Sequence, residues 1–309
     1  MASDSLQLAW LESFLSVSEH GGFTRAARAT HRTQPRISAH IAALERALGE
    51  DLLVRTARGA TLTLAGELLL PRVRAMMREL RTGTDAVHGL RQQMQGHVRI
   101  GSYPGASAVI VAPVMQNFRR RYPAVRLSLL ESGPHGVEMA ISRDDIDLAV
   151  RASDMPQAHH DMTSARLCHE KIVLVVREDH PLATEATVDL GRLVHETLIV
   201  SGEPHNLWTD YQDRLGQVGV EPEDLISAAI PTTVVALVRA GMGVGLLGSF
   251  AAHVSVNGGD LTTRELPTPL WQREIRLHHR REESPPAVTA FRDSLVTEAP
   301  GLTQSLAVW

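Results

Sequence analysis

One short amphipathic segment near the N-terminus carries polar side chains suited to hydrogen bonding with the base edges of DNA. These side chains lie at or near its leading end and are Gln34, Arg36, Ser38 and His40. Gln suits adenine and Arg suits guanine in the major groove, while Ser accepts several bases. Apolar residues recur at three- and four-residue spacing over 37–48, which predicts a helix whose other face is buried.

Two helices joined by a tight turn must position these side chains. Thr24 can cap the first helix, in which Ala26 and Ala27 are small enough for close packing. Thr33 can cap the second, and Pro35 is tolerated there because first-turn amides have no intrahelical partner. The pair fits a helix-turn-helix that places its second helix in the major groove. An ordinary amphipathic helix pair with a solvated polar face is the alternative, because short matches to this motif arise by chance.

Two β-prone runs follow at 52–55 and 61–64, with Arg58 and Gly59 at the turn between them. They resemble the wing of a winged helix-turn-helix, in which Arg55 and Arg58 would touch phosphates or enter a minor groove. The wing favours DNA binding over the alternative.

Residues 6–66 as a whole resemble the DNA-binding domain of LysR-type transcriptional regulators. The matching positions include Leu11, Phe14, Gly22, Phe23, Thr24, Ala26, Ala27, Gln34, Pro35, Ser38, Leu44, Glu45, Leu48, Gly49, Leu52, Arg55, Leu62, Thr63, Ala65 and Gly66. Arg36 stands where the family usually has a small residue, and Ala39 where Arg is frequent, so the family's base contacts do not transfer directly. The expected DNA-binding residues, within a domain spanning 1–65, are Thr24, Arg25, Arg28, Thr33, Gln34, Pro35, Arg36, Ser38, His40, Arg55 and Arg58.

A hydrophobic seam of coiled-coil type follows, with steps of four and three residues. We assign these residues of the seam to a contact between two subunits: Leu69, Val73, Met76, Leu80, Val87 and Leu90. A partner must bury the seam, most simply the same helix of a second subunit; packing against the chain's own body is the alternative. The resemblance implies that residues 66–95 form the linker helix of an antiparallel dimer. Pro71 predicts a kink near its start.

Residues 96–309 alternate apolar strand-like runs with helical runs, which predicts a parallel α/β architecture. Strands are expected at 97–100, 125–129, 147–150, 172–176, 197–200 and 243–247, and helices near 107–121 and 234–240. This part resembles the effector-binding domain of the same regulators, which is related in fold to periplasmic solute-binding proteins. The resemblance implies two lobes, lobe I at about 97–165 and 269–300 and lobe II at about 166–268, joined by two hinge segments.

The cleft between these lobes is the predicted ligand site. Ligands of open α/β sheets bind beyond the carboxyl ends of strands, and helix N-termini there favour anions, so amides near 105–107 can hold a carboxylate. Many family members have a Ser or Thr at the positions aligned with Gly105 and Pro134, where this chain has neither hydroxyl. The expected effector-binding residues are Ser102, Gly105, Ala106, Ser107, Ser132, His135, Ser201, Gly202, Thr232 and Thr233.

Other motifs predict no chemistry. Residues 243–248 match the dinucleotide-binding pattern G-x-G-x-x-G, but a helical run precedes the glycines and a strand-like run contains them, the reverse of the required order. The single cysteine, Cys168, has no resolving partner and is interpreted as a small core residue. The neighbouring histidines at 159–160 and 278–279 point different ways on a helix or strand. We therefore expect no catalytic set, no cofactor and no metal, and a protein that is not an enzyme.

Charge divides the chain in the same way as the motifs. The formal net charge is −4, yet residues 21–99 carry 13 Arg against 6 acidic residues, so the remainder is acidic. A basic head on an acidic body fits DNA contact confined to one end. The sequence shows neither a signal peptide nor an apolar stretch long enough to span a membrane, and we expect a cytoplasmic protein without membrane contact.

Together these observations predict a LysR-type, sequence-specific regulator that binds double-stranded promoter DNA as a homodimer or homotetramer. A small effector, for which the cleft allows a negative charge, would bind between the lobes, and RNA polymerase is a further expected partner. Two other classes remain open. A non-specific nucleoid or architectural protein would bind random and promoter DNA alike, and a solute-binding α/β protein would account for the C-terminal part alone.

Overall fold

The computed structural model describes residues 6–56, 59–89, 94–152, 162–185, 187–201, 208–222, 224–267, 269–281 and 284–304. Three predicted site residues, Arg58, Leu90 and Gly202, lie outside these ranges, as do His159 and His160. The chain divides into two compact units, Met1–Thr84 and Asp85–Trp309. No helix in the described part is long and apolar enough to cross a bilayer.

The first unit is a three-helix bundle followed by a two-stranded hairpin and a long helix. The elements are α1 (Leu8–His20), α2 (Phe23–Ala29), α3 (Gln34–Leu48), β1 (Leu53–Thr56), β2 (Gly59–Leu62) and α4 (Leu64–Gly89). β1 and β2 are antiparallel. The predicted helix-turn-helix and wing are therefore confirmed in position.

The apolar spacing of the sequence becomes the core of this unit. Ile37 and Leu44 of α3 have no exposed surface and pack against Phe14 of α1, which is also fully buried. Burying a side chain of this size contributes roughly 1.5–3 kcal/mol each. The prediction that Thr24 caps α2 is wrong. The helix begins at Phe23 after the cap residue Gly22, and Thr24 lies exposed in its first turn.

Close approach of the wing to α1 depends on a glycine. Ala60 donates its amide to the carbonyl of Gly21, which ends α1, at 3.1 Å. Gly59 has a φ of 145°, and a Cβ at this position would overlap that carbonyl. A side chain here would push the hairpin away from the helices.

Helix α4 divides the predicted seam into two parts. Val73 has no exposed surface, and Leu69 packs beside it in the core of the first unit. The predicted subunit contact at Val73 is therefore wrong, because the residue has no surface left to offer a partner. Further along, Met76, Leu80 and Val87 are 54%, 44% and 65% exposed.

The second unit is built on one nine-stranded sheet. Its strands are β3 (Gly96–Ser102), β4 (Val125–Glu131), β5 (Leu148–Ala152), β6 (Met162–Arg177), β7 (Thr197–Ser201), β8 (Asp224–Ala228), β9 (Val244–Gly248), β10 (Leu261–Glu265) and β11 (Gln272–Arg280). Their order is β4-β3-β5-β11-β6-β9-β7-β8, and β10 also pairs with β6. The predicted parallel pairing holds within each lobe, where β3 pairs with β4 and β5, and β7 with β8 and β9. The sheet as a whole is mixed, because β10, β11 and β9 are each antiparallel to β6.

Helices cover this sheet, and the second unit has two lobes with separate cores. They are α5 (Pro104–Ala106), which continues through a π-helical turn (Ser107–Val111) into α6 (Ala112–Arg121), then α7 (Pro134–Ser142), α8 (Trp208–Gln217), α9 (Pro231–Arg239), α10 (Ser249–Ser255) and α11 (Pro286–Gln304). Short 3-10 helices span Pro181–Thr184 and Leu190–His195. Lobe I has its core around Ile100, Phe118 and Phe291, and lobe II around Leu174 and Leu246.

Strand β6 runs through both lobes. Its first part pairs with β11 of lobe I, whereas Ile172 and the residues after it pair with β9 and β10 of lobe II. β5 ends at Ala152, which pairs with Ile275 of β11, and Ile275 pairs in turn with Cys168 of β6. β9 runs in the opposite direction to β5 and ends at Gly248, which pairs with Ile172 of β6. The carboxyl ends of the two sets of parallel strands therefore face each other across 168–172, and this is the interlobe cleft.

The glycine pattern at 243–248 has a packing explanation. Gly243 precedes β9 with a φ of 148°, and a Cβ there would overlap the Thr197 carbonyl. A Cβ on Gly248 would overlap the carboxylate of Glu170. The glycines let the strand approach its neighbours and do not form a phosphate-binding turn between strand and helix.

Candidate nucleic-acid interface and ligand cleft

The leading turn of α3 is the exposed part of the helix-turn-helix. Thr33 is its cap residue, although its side chain makes no capping hydrogen bond, and Thr33, Gln34, Pro35 and Arg36 are all exposed. Gln34 Nε2 donates to Ser38 Oγ at 3.2 Å, which orients the amide along the helix. The Arg36 side chain therefore extends from this turn with its guanidinium accessible.

Arg55 of the wing lies beside the same helix. Its Nη2 donates to Ser38 Oγ at 3.2 Å, and its Cζ stands 4.2 Å from the centre of the Phe23 ring. A cation over an aromatic face is attracted by about 0.5–1 kcal/mol at an exposed site. Ser38 thus joins the wing to the recognition helix and holds a positive charge close to Gln34.

His40 faces the protein and not the exposed turn. A hydrogen bond of 2.8 Å joins its Nδ1 to Ser13 Oγ of α1, next to the ion pair of Arg32 with Glu12 at 2.6 Å. Burial, followed by the charges of Arg32 and Arg36, lowers the pKa of His40. The prediction that His40 contacts a base is therefore wrong, because its ring holds α3 against α1.

Helix α2 carries three further predicted DNA-binding residues. Thr24 and Arg28 are exposed on it. Arg25 bends back onto the end of α1, where its Nη2 donates to the Gly21 carbonyl at 2.6 Å and its Nε to the His20 carbonyl. Arg25 thus satisfies carbonyls at the helix end while leaving its charge on the same side as the wing.

On the lobe I side of the cleft, the predicted carboxylate site is closed. Gly105, Ala106 and Ser107 are buried, and the Ser107 amide donates to the Tyr103 carbonyl at 2.9 Å. A Cβ added to Gly105 would lie 3.0 Å from the amide nitrogen of Ala251 in α10. The expectation of accessible amides at Gly105–Ser107 is therefore wrong, because α10 of lobe II packs directly against this turn.

Other predicted residues do reach the strand ends. Ser102 is buried at the end of β3, where its carbonyl accepts the Ser132 amide at 3.0 Å, and His135 is exposed in the first turn of α7. In lobe II, Ser201 ends β7. Thr232 and Thr233 are exposed in the first turn of α9, which follows the neighbouring strand β8.

Sequence reasoning missed a buried arginine near the cleft. Arg151 lies next to the end of β5 with its side chain only 4% exposed, and its Nη1 is 3.1 Å from Glu138 Oε2 of α7. Burial lowers the pKa of Arg151. Across the strands it pairs with Arg276 of β11, which pairs in turn with Arg166 of β6. An arginine inside an apolar strand was the available signal.

A second missed residue is the carboxylate between the lobes. Glu170 is 1% exposed and accepts hydrogen bonds from Tyr103 Oη at 2.8 Å, the Phe250 amide at 3.1 Å and Arg273 Nε at 3.0 Å. Burial, followed by the charge of Glu170, raises the pKa of Tyr103 well above its usual value. One carboxylate thus joins lobe I, lobe II and the start of β11 at the centre of the cleft. The available signal was an acidic residue shortly before the apolar run at 172–176.

Redox and metal chemistry find no support in the described residues. Burial raises the pKa of Cys168 to about 11, so its thiolate is scarce at neutral pH. No cluster of three His, Cys, Asp or Glu side chains able to hold a metal occurs within the described ranges.

Comparison with known proteins identifies the family of both parts of the chain. Residues 8–67 match the model of the bacterial regulatory helix-turn-helix protein, lysR family, and residues 91–300 match the LysR substrate binding domain. The hydrogen peroxide-inducible genes activator of Dickeya chrysanthemi is 29% identical over 78% of this chain and 78% of its own length.

Two solved structures show the same fold over nearly the whole chain. A full-length OxyR variant of Pseudomonas aeruginosa has a TM-score of 0.74 at 21% identity, covering 97% of this chain and 95% of that one. Full-length CbnR in complex with its target DNA has a TM-score of 0.56 at 21% identity, covering 95% and 99%. With a helix-turn-helix at one end and a matched substrate-binding domain over most of the rest, the chain belongs to the LysR family of DNA-binding transcriptional regulators.

Proposed function

We propose that this regulator reads a specific promoter sequence through the leading turn of α3 and responds to a small molecule bound between its lobes. The observation that carries the proposal is the exposed pair Gln34 and Arg36, in which Ser38 orients the amide of Gln34 and also accepts a hydrogen bond from Arg55. Arg36 recognises a guanine and Gln34 an adenine. Arg55, Arg58, Arg28 and Arg25 contact phosphates and contribute affinity with little sequence preference.

Two copies of the chain bind one operator. The exposed apolar residues Met76, Leu80 and Val87 on α4 support this, because single exposed residues are ordinary but a repeated apolar stripe along a helix calls for a partner. A dimer presents two recognition helices to an interrupted palindrome. CbnR, which shares this fold, has been solved in complex with its target DNA, and this supports DNA binding by the present chain. Tetramers would form from two such dimers.

The effector binds where the strand ends of the two lobes face each other. Hydrogen-bonding groups are supplied there by Ser132, His135, Ser201, Thr232 and Thr233. Because α10 closes the turn at Gly105, an anionic effector would need the positive charge of the buried Arg151, released from Glu138. An effector changes transcription only through its different affinity for the regulator's alternative conformations.

Peroxide sensing does not follow from the relatives. The Dickeya protein is named for hydrogen peroxide, whereas the single cysteine of this chain is half-buried and its pKa is raised to about 11. We propose a metabolite effector, action in the cytoplasm where promoter DNA is found, contact with RNA polymerase at the promoter, and no catalytic turnover.

Selection of genomic fragments by the purified full-length protein tests this function. The expected result is one interrupted palindrome shared by the enriched fragments, with G·C pairs at fixed positions in each half-site. Enrichment without a common sequence would favour the non-specific architectural protein, and failure to enrich any DNA would favour a solute-binding protein.

A further inference from the structure

A cavity of about 380 Å³ lies in lobe II, between helix α10 and the strand β10. Its apolar wall consists of Val173, Ala252, Val256 and Leu261. Cavities that bind small ligands generally occupy about 300–1,000 Å³. The space is therefore large enough for a small organic molecule.

The cavity is separate from the interlobe cleft because α10 stands between them. Ser249, Ala252 and His253 line it from positions i, i+3 and i+4 of the helix, and Val256, which directly follows the helix, extends the lining. A different side of the helix start belongs to the lobe contact, since Phe250 is 1% exposed and packs in the core of lobe I. One short helix thus borders both the cavity and the contact between lobes.

The lining restricts the chemistry of the ligand. Its polar side chains are those of Ser249, His253, Thr262 and Thr263, and no Lys, Arg, Asp or Glu is among the described residues that line it. Burying a carboxylate or an ammonium without an opposite charge is costly, whereas one hydroxyl or carbonyl can be satisfied by these groups. The lining therefore suits a neutral, mainly apolar molecule.

We propose that this cavity, which we call the α10 pocket, is a second ligand site that takes a neutral, apolar molecule with one hydroxyl or carbonyl group. Occupancy presses on the side of α10 that faces away from the lobe I core, where Phe250 packs. Because the Phe250 amide donates to Glu170 at 3.1 Å, a displacement of α10 alters the hydrogen bonds that join the lobes. This site does not depend on the interlobe effector site and can be tested without DNA.

The test uses 4-fluorophenol as a neutral probe and 4-fluorobenzoate as its anionic counterpart, with binding to the full-length protein followed by fluorine NMR line width. Val256→Phe fills the α10 pocket from a half-buried position. Val254→Phe is the matched control, because Val254 is on α10, 42% exposed and outside the lining. Circular dichroism confirms that both variants are folded.

We expect the wild type and Val254→Phe to bind 4-fluorophenol with a dissociation constant below about 1 mM, and Val256→Phe to bind it at least ~10-fold more weakly. Wild-type affinity for 4-fluorobenzoate should be lower than for the phenol. Absence of phenol binding to the wild type, equal binding to both variants, or preference for the benzoate would each overturn the proposal. Should Val256→Phe unfold, Thr263→Val replaces it, and unchanged binding there would overturn the role of the hydroxyl.

Discussion

At the scale of single residues, we propose that recognition of the DNA sequence depends most on the side chain of Arg36. It is exposed in the leading turn of α3, where the resembling family usually has a small residue. Arg forms a bidentate pair with guanine, which discriminates against other bases by about 1–3 kcal/mol. The operator of this regulator should therefore differ from those of relatives at the base pair that Arg36 contacts.

Replacing Arg36 by Ala should weaken binding to the selected operator by about 10- to 100-fold and flatten base preference at one position per half-site. Arg46→Ala is the control, because Arg46 is exposed in the last turn of the same helix. Fluorescence anisotropy on operators with each base at that position gives the measurement. Unaltered discrimination in Arg36→Ala would remove Arg36 from base reading.

Glu170 should be the most important single carboxylate for the stability of the second unit. Glu170→Gln leaves Arg273 buried beside a neutral amide, and breaking a buried ion pair costs roughly 3–5 kcal/mol. Glu274→Gln provides the comparison, since Glu274 pairs with Arg276 at 2.6 Å but is 28% exposed, and solvent-accessible ion pairs contribute little to stability. Urea unfolding followed by circular dichroism distinguishes the two. Equal losses would mean that the interlobe contact is not specially stabilised.

The buried position of His278 leads us to expect that the folded protein loses stability in mild acid. Burial, followed by the charge of Arg151, lowers its pKa from 6.5 to about 4 in the folded protein. Unfolded chains bind this proton first, so stability falls as pH drops from 6.5 towards 4, by about 3 kcal/mol in total. His278→Gln should lose correspondingly less between pH 7 and pH 4.5 in thermal unfolding. A pH profile identical to that of the wild type would contradict the assignment.

At the scale of elements, α4 has two functions along its length. Its first part completes the core of the DNA-binding unit through Val73, and its later part exposes Met76, Leu80 and Val87. The sequence alone could not distinguish the buried part from the exposed part of the helix, because the residues of both parts follow the same apolar spacing.

Leu80→Glu should dissociate the dimer, since it places charges within an apolar contact between subunits. Leu68→Glu is the matched control, being the same substitution on the same helix at a residue 68% exposed and off the seam. Sedimentation velocity should show monomers only for Leu80→Glu. Dimers of both variants would exclude this stripe as the subunit contact.

The elements with local signals were predictable from the sequence. The helices of the first unit, its wing and the apolar strands β3, β7 and β9 fall where spacing and composition place them. β11 and the first half of β6 were missed because they alternate charged with apolar residues and are stabilised by cross-strand pairs such as Arg276 with Ser164. The closed turn at Gly105 was missed because it depends on α10, which is far away in the chain.

At the scale of the whole molecule, two units with separate cores divide the work of the regulator. The first carries the basic reading surface, and the second carries the cleft, with Glu170 joining its lobes. Ligand-dependent change must therefore begin in the second unit, where the contacts between α5, α10 and β6 are the ones that an interlobe ligand would alter.

Sequence-specific binding separates this regulator from a protein that binds any DNA, and the affinity ratio between the selected operator and scrambled DNA measures it. We would measure both dissociation constants for the full-length protein at near-physiological salt, and repeat them over a salt series. A ratio of at least ~10³ is expected for a specific regulator. A ratio near one, with both affinities falling steeply and equally with salt, would contradict the account and identify a protein that binds the DNA backbone alone.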